Sequence, residues 1–144
     1  MMASERIASP TEDTRRRTAK TATRLGIACT TLVALFLTFD TVLKVLRLGP
    51  AVEGTVQLGY PVNTVQWIGV AELVCLALYL TPRTSVLGAL LLTGYLGGAI
   101  ATHVRIASPL FTHVLFPIYV ALLVWGGLYL RDARLRQLFP LRRG

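Results

Sequence analysis

Four long apolar stretches divide the chain and predict four helices that cross a membrane. They cover about residues 25–45, 64–80, 86–103 and 114–130. Each holds roughly 17–21 residues, and an α-helix of that length spans a hydrocarbon core of about 30 Å. More than half of the chain lies in these stretches, so we expect an all-α membrane protein. Its folded part, residues 25–130, is predicted to be an antiparallel four-transmembrane-helix bundle.

The segments outside the stretches are polar and short. Residues 1–24 lack apolar periodicity and predict a disordered basic tail, and residues 131–144 predict a second basic tail. Pro50 is expected to start a short helix that lies on the membrane surface and ends before Gly59. A signal peptide is the alternative for the first stretch. We favour a retained span, because no small-residue cleavage site follows it.

The charge distribution predicts the orientation of the helices. Of the 15 Lys and Arg residues, 12 fall in the two tails or at Arg83, and three fall on the opposite side of the predicted membrane. The positive-inside rule then places both termini in the cytoplasm of a multi-pass protein of the inner (plasma) membrane. Charged residues make up only 15% of the chain. We therefore interpret the basic tails as topology signals and lipid contacts, with no nucleic-acid partner.

Three charged residues lie inside the apolar stretches. Asp40 and Lys44 are four residues apart and share a helix face. Glu72 lies about 12 Å below the outer end of the second span, close to the depth of Asp40. A charged group at the membrane centre costs about 2.5–3.5 kcal/mol, so each needs an internal partner. Lys44 is expected either to pair with these acids or to extend toward the outer interface.

These charges suggest a polar pocket in the outer half of the protein. Tyr60 and His103 are predicted near its mouth, although a regular helix would turn His103 toward lipid headgroups. The alternative is a purely structural role, in which Lys44 neutralises Asp40 or Glu72 and so clamps the first two spans together. No metal site is expected, because the two histidines lack a ligand cluster of typical spacing. The predicted ligand-binding residues are Asp40, Lys44, Tyr60, Glu72 and His103.

Small residues suggest how the third span packs. Gly94, Gly98 and Thr102 recur at intervals of four residues, a pattern that lets another backbone approach closely. We expect this arc to face a helix of the same chain, and a homo-oligomer through it remains the alternative. Cys29 and Cys75 are interpreted as small apolar core residues and not as a redox pair.

Several short motifs occur in a characteristic order: Lys44 at the end of span one, Leu58-Gly59-Tyr60-Pro61, Gly69-Val70-Ala71-Glu72, Pro82-Arg83 and Ala101-Thr102-His103. Their order and spacing resemble the DoxX-like family of small four-helix membrane proteins. The similarity covers about residues 25–130. It implies the fold and the inner-membrane location, and it suggests quinone chemistry, since the family name derives from a small quinone-linked subunit of a thiosulfate-oxidising complex.

Three functional hypotheses follow. The first is an accessory subunit of a membrane redox system, not an enzyme by itself, that holds a quinone or another lipophilic molecule and contacts redox partner proteins. The second is a small proton-coupled carrier that uses Glu72. The third is a structural scaffold that recruits a partner through the glycine face of the third span. The residues assign no reaction and no cofactor, and a quinone is the candidate ligand.

Overall fold

The computed structural model describes residues 10–138, and every regular element in that range is helical. The prediction of an all-α protein is therefore confirmed for the described residues. A π-helical turn, Leu110–Val114, precedes the fifth helix. The helices are α1 Pro10–Val45, α2 Gly49–Gln57, α3 Thr64–Leu80, α4 Ser85–Arg105, α5 Phe116–Arg131 and α6 Ala133–Leu138.

Within residues 10–138, three helical segments are long and apolar enough to cross a membrane. They are Arg16–Val45, Ser85–Arg105 and Leu110–Arg131. α3 is apolar but has 17 residues, which gives a length of about 26 Å at about 1.5 Å per residue. The four predicted apolar stretches thus all form helices, and α3 is shorter than the three membrane-capable segments.

The four long helices enclose a common core. α1 packs against α3 and α5, and α4 packs against the same two helices from the other side. The core consists of aliphatic side chains from all four helices and one tyrosine. Its most deeply buried members are Val33, Leu37, Tyr79, Ala89, Leu92, Val124, Leu128 and, from α6, Leu135.

α1 begins well before the apolar stretch that predicted it. Residues 10–24 are helical, so the prediction of a disordered tail is wrong for this part of the chain. The physical reason is cooperativity: once the apolar span has nucleated the helix, each further residue adds a hydrogen bond at little cost. After Pro10 no proline or glycine interrupts the segment before Gly26. The rest of the predicted tails, residues 1–9 and 139–144, lies outside the described residues.

Glycines bring α1 close to both of its neighbours. A Cβ atom on Gly127 of α5 would lie 2.9 Å from Thr30 Oγ1, and one on Gly69 of α3 would lie 2.7 Å from Lys44 Cβ. Contacts this short leave no room for a side chain, so both positions need glycine. The second contact matters for the site, because it brings the base of the Lys44 side chain against α3.

The glycine arc of α4 does not pack as predicted. A Cβ atom on Gly94 or Gly98 would meet nothing within 4 Å. The face of α4 that contacts α3 instead carries Gly88, whose Cβ would collide with the Tyr79 backbone, followed by the buried Leu92 and Leu96. Residues four and eight positions after Gly88 share its face, whereas the Gly94 arc lies on another side of the helix. The prediction of intramolecular packing through the arc is therefore wrong.

Candidate functional site

Lys44 is the centre of a cluster of polar side chains drawn from three helices. Its Nζ donates to Asp40 Oδ2 on α1, to Glu72 Oε2 on α3 at 2.9 Å and to Tyr95 OH on α4 at 2.8 Å. Tyr95 OH in turn donates to Glu72 Oε2 at 2.8 Å. The ammonium group therefore has an acceptor for each of its three protons.

Local sequence explains how these groups meet. Asp40 and Lys44 face the same way because they are one helical turn apart. Gly69, three residues before Glu72, lets the Lys44 stem lie directly on α3. Tyr95 is the middle residue of α4 and reaches the pair from the opposite side. Lys44 therefore turns to internal partners, and the alternative expectation that it extends toward the interface is not met.

Burial increases from Asp40 to Glu72 across the cluster. The side chains are 33% exposed at Asp40, 16% at Lys44 and 0% at Glu72. Glu72 Oε1 has no hydrogen-bond partner in the described part of the chain. Lys44 thus contacts both acids, as the clamp interpretation requires, but the two acids lie in different surroundings.

Tyr95 was not among the residues predicted from the sequence. The signal that points to it is a phenol at the centre of an apolar span, about 15 Å from either helix end. A buried tyrosine hydroxyl almost always needs a polar partner. Two charged groups at similar predicted depth on neighbouring spans supply one.

A cavity of about 490 Å³ lies beside the cluster, at the end of the helices that carries α2, which we call the α2 end. This volume is typical of sites for small organic ligands. Asp40, Lys44 and Tyr95 form its polar side, and Glu72, which sits behind Lys44, does not line it. The apolar walls include Phe36 and Phe116, whose rings meet edge to face at 5.3 Å between centroids. The remaining lining residues are Leu37, Thr55, Leu58, Tyr60, Ile68, Gly94, Leu96, Gly98, Ala99, Thr102, His103, Pro117 and Val120.

The mouth of the cavity is built by the chain between α2 and α3. Gly59 adopts a positive φ of 85° just after α2, a conformation that favours glycine. The turn directs Tyr60 to α4, where its OH lies 3.1 Å from Thr102 Oγ1. Arg105 Nη2 donates to the Leu58 carbonyl at 2.6 Å. These contacts hold α2 over the cavity.

His103 lies among the lining residues, so it faces the cavity and not only the lipid side. Its Nδ1 lies 3.1 Å from Ser108 Oγ, and its ring centroid is 5.5 Å from that of His113. No group of three or more potential metal ligands occurs among the described residues. The histidine pair is therefore a local contact between α4 and the π-helical turn.

The opposite half of the protein contains a structural polar contact. Tyr79 is fully buried and donates to the Val124 carbonyl at 3.0 Å. Arg131 covers its ring, with the guanidinium 5.4 Å from the centroid. The Tyr79 contacts join α3 to α5 and involve none of the predicted ligand-binding residues. Both cysteines, Cys29 and Cys75, are free thiols.

The apolar helices and their internal charge cluster define a helical integral membrane protein that contacts the lipid bilayer. The particular family follows from comparison with known protein families. The model of the DoxX-like family matches residues 28–127, so the chain belongs to the DoxX-like family. Comparison with curated proteins and with solved structures found no match.

Proposed function

We propose that α1, α3, α4 and α5 form an antiparallel four-transmembrane-helix bundle in the inner (plasma) membrane, with both termini in the cytoplasm. The excess of basic residues in the tails and at Arg83 supports this orientation. The connection of only four residues between α3 and α4 supports an antiparallel pair. In this arrangement the α2 end faces outward.

We further propose that the cavity binds a lipophilic molecule with a polar head group, such as a quinone. The chain would then act as an accessory subunit of a membrane redox system and not as an enzyme by itself. The observation that carries this proposal is a cavity with aromatic and aliphatic walls and a charged, polar side at Asp40, Lys44 and Tyr95. Membership in the DoxX-like family adds support for the membrane setting.

Ligand titration tests this function. The full chain in detergent or lipid nanodiscs is titrated with a short-chain benzoquinone and a short-chain hydroquinone while intrinsic tryptophan fluorescence is followed. We expect saturable binding, weakened in Lys44→Ala and Glu72→Gln. Tyr119→Phe is the control, because Tyr119 is exposed and does not line the cavity. Absence of binding by both probes would exclude the proposed ligand class.

The carrier hypothesis is supported by a different observation. Glu72 is fully buried and its Oε1 atom lacks a partner, and such acids are common in proton pathways through membranes. Proteoliposomes with a pH-sensitive dye inside would report proton movement after an acid jump. If the protein is a proton-coupled carrier, liposomes with the wild type acidify faster than liposomes with Glu72→Gln. Equal rates of acidification would exclude the carrier hypothesis.

A further inference from the structure

The hydrogen-bond donors on the polar side of the cavity are already engaged. All three protons of Lys44 have acceptors, at Asp40, Glu72 and Tyr95. The Tyr95 hydroxyl has one proton, which it gives to Glu72. A ligand that reaches this side therefore meets no free donor from Lys44 or Tyr95.

The hydroxyl groups near the mouth are engaged in the same way. Thr102 donates to the Gly98 carbonyl at 2.8 Å, so its contact with Tyr60 requires Tyr60 to donate. Thr55 donates to the Ala51 carbonyl at 2.7 Å. Each of these hydroxyls keeps only its capacity to accept.

Asp40 provides the strongest free acceptor. Its Oδ2 atom accepts from Lys44, while no described residue donates to Oδ1. The side chain lines the cavity and is 33% exposed, so Oδ1 is accessible. The one lining side chain with a donor to spare is His103, whose second ring nitrogen carries a proton in one of its tautomers.

We propose that this cavity selects lipophilic molecules whose head group donates hydrogen bonds, and that Asp40 Oδ1 accepts the hydrogen bond. Within the ligand class proposed above, alcohols, phenols and hydroquinones are favoured over quinones, ketones and ethers of the same size, so the reduced form of a quinone is the preferred one. A carbonyl head beside Asp40, Lys44 and Tyr95 would meet oxygen acceptors without a free donor and would lose its hydrogen bonds to water without replacement there. The inference rests on the proposed function, because it presupposes that the cavity holds a ligand.

A matched series of probes tests the selectivity on the full-length protein in nanodiscs. The series is decylhydroquinone, its dimethyl ether and decylbenzoquinone, which share the ring and the alkyl chain. Because a hydrogen bond to a charged acceptor is among the strong ones, we expect the hydroquinone to bind at least about tenfold more tightly than the other two. Equal affinities would overturn the inference and leave the proposed function standing. No binding by any probe would overturn both.

Ammonium groups also donate, so a second pair of probes separates donation from charge. Decylammonium carries N–H donors, and decyltrimethylammonium carries the same charge without them. If donation is recognised, decylammonium binds at least about tenfold more tightly than its methylated counterpart. Equal binding of the two cations, together with weak binding of the hydroquinone, would show attraction to negative charge alone and would overturn the inference.

Asp40→Asn tests whether Asp40 causes the preference for head groups that donate hydrogen bonds. Lys44 still requires an acceptor, so the Asn oxygen is expected to turn to Lys44 and its NH₂ group to take the place of Oδ1. The preference for the hydroquinone should then fall below about threefold as the quinone gains a donor. Tyr119→Phe, an exposed position that does not line the cavity, is the control and should keep the wild-type preference. An unchanged preference in Asp40→Asn, with normal helix content by circular dichroism, would refute the role of Asp40.

Discussion

Removal of the Tyr95 hydroxyl is the most direct test of the polar cluster. Tyr95→Phe deletes one oxygen atom and with it the 2.8 Å contacts to Lys44 and Glu72. In water-soluble proteins each hydrogen bond to a charged group contributes about 1.5–3 kcal/mol. Interhelical hydrogen bonds in membrane proteins average about 0.6 kcal/mol, with a maximum of about 1.7. The membrane scale applies here, so two bonds give an expected loss of about 1–3 kcal/mol.

Reversible unfolding of the full chain in mixed micelles of mild detergent and SDS measures this loss. Tyr119→Phe is the matched control, since that side chain is about half exposed and makes no hydrogen bond in the described part of the chain. We expect the control to change the free energy of unfolding by less than about 0.5 kcal/mol. Equal free energies for the two variants would refute the idea that the Tyr95 bonds stabilise the fold.

Two further predictions use pairs of neighbouring glycines. Gly127→Leu should destabilise the protein by about 1–3 kcal/mol or more, because a Cβ atom at position 127 would lie 2.9 Å from Thr30 Oγ1. A Cβ atom on Gly126 would meet nothing within 4 Å, so Gly126→Leu should have the free energy of unfolding of the wild type in the same micelle assay. Gly98→Leu, at the cavity wall, should weaken decylhydroquinone binding about tenfold or more, whereas Gly97→Leu should not. Loss of co-purifying proteins in Gly98→Leu, with unchanged decylhydroquinone binding, would instead support the scaffold hypothesis.

The sequence predicted the helices well because membrane spans follow from simple length and composition. An apolar run of the right length has few alternatives to a helix, since lipid cannot satisfy a free backbone group. The meeting of Asp40, Lys44 and Glu72 was predictable for a related reason. Lipid offers no partner to a charged group, so charges at similar depth on adjacent spans are expected to pair with each other. The structure brings these three together.

The features that depend on helix rotation were not predictable in this way. Periodicity shows that Gly94 and Gly98 share a face, but not which face meets α3. That choice is made by Gly88 against the Tyr79 backbone, a contact that no single-helix pattern reveals. Tyr95 was missed for the same reason, because a tyrosine within an apolar span gains meaning only when the rotation of α4 is known.

The two acids of the cluster are not equivalent, although they appear so in the sequence. One Lys44 faces Asp40 and Glu72, so one acid exceeds the available positive charge. From depth alone, Glu72 is the stronger functional candidate. In the structure Lys44 stands between Glu72 and the cavity, and of the two acids Asp40 lines the cavity while Glu72 does not. A ligand therefore reaches Asp40 first, while any proton exchange at Glu72 requires a change at Lys44 or Tyr95. Under the two proposals above, the position of Lys44 would separate ligand recognition at Asp40 from proton transfer at Glu72.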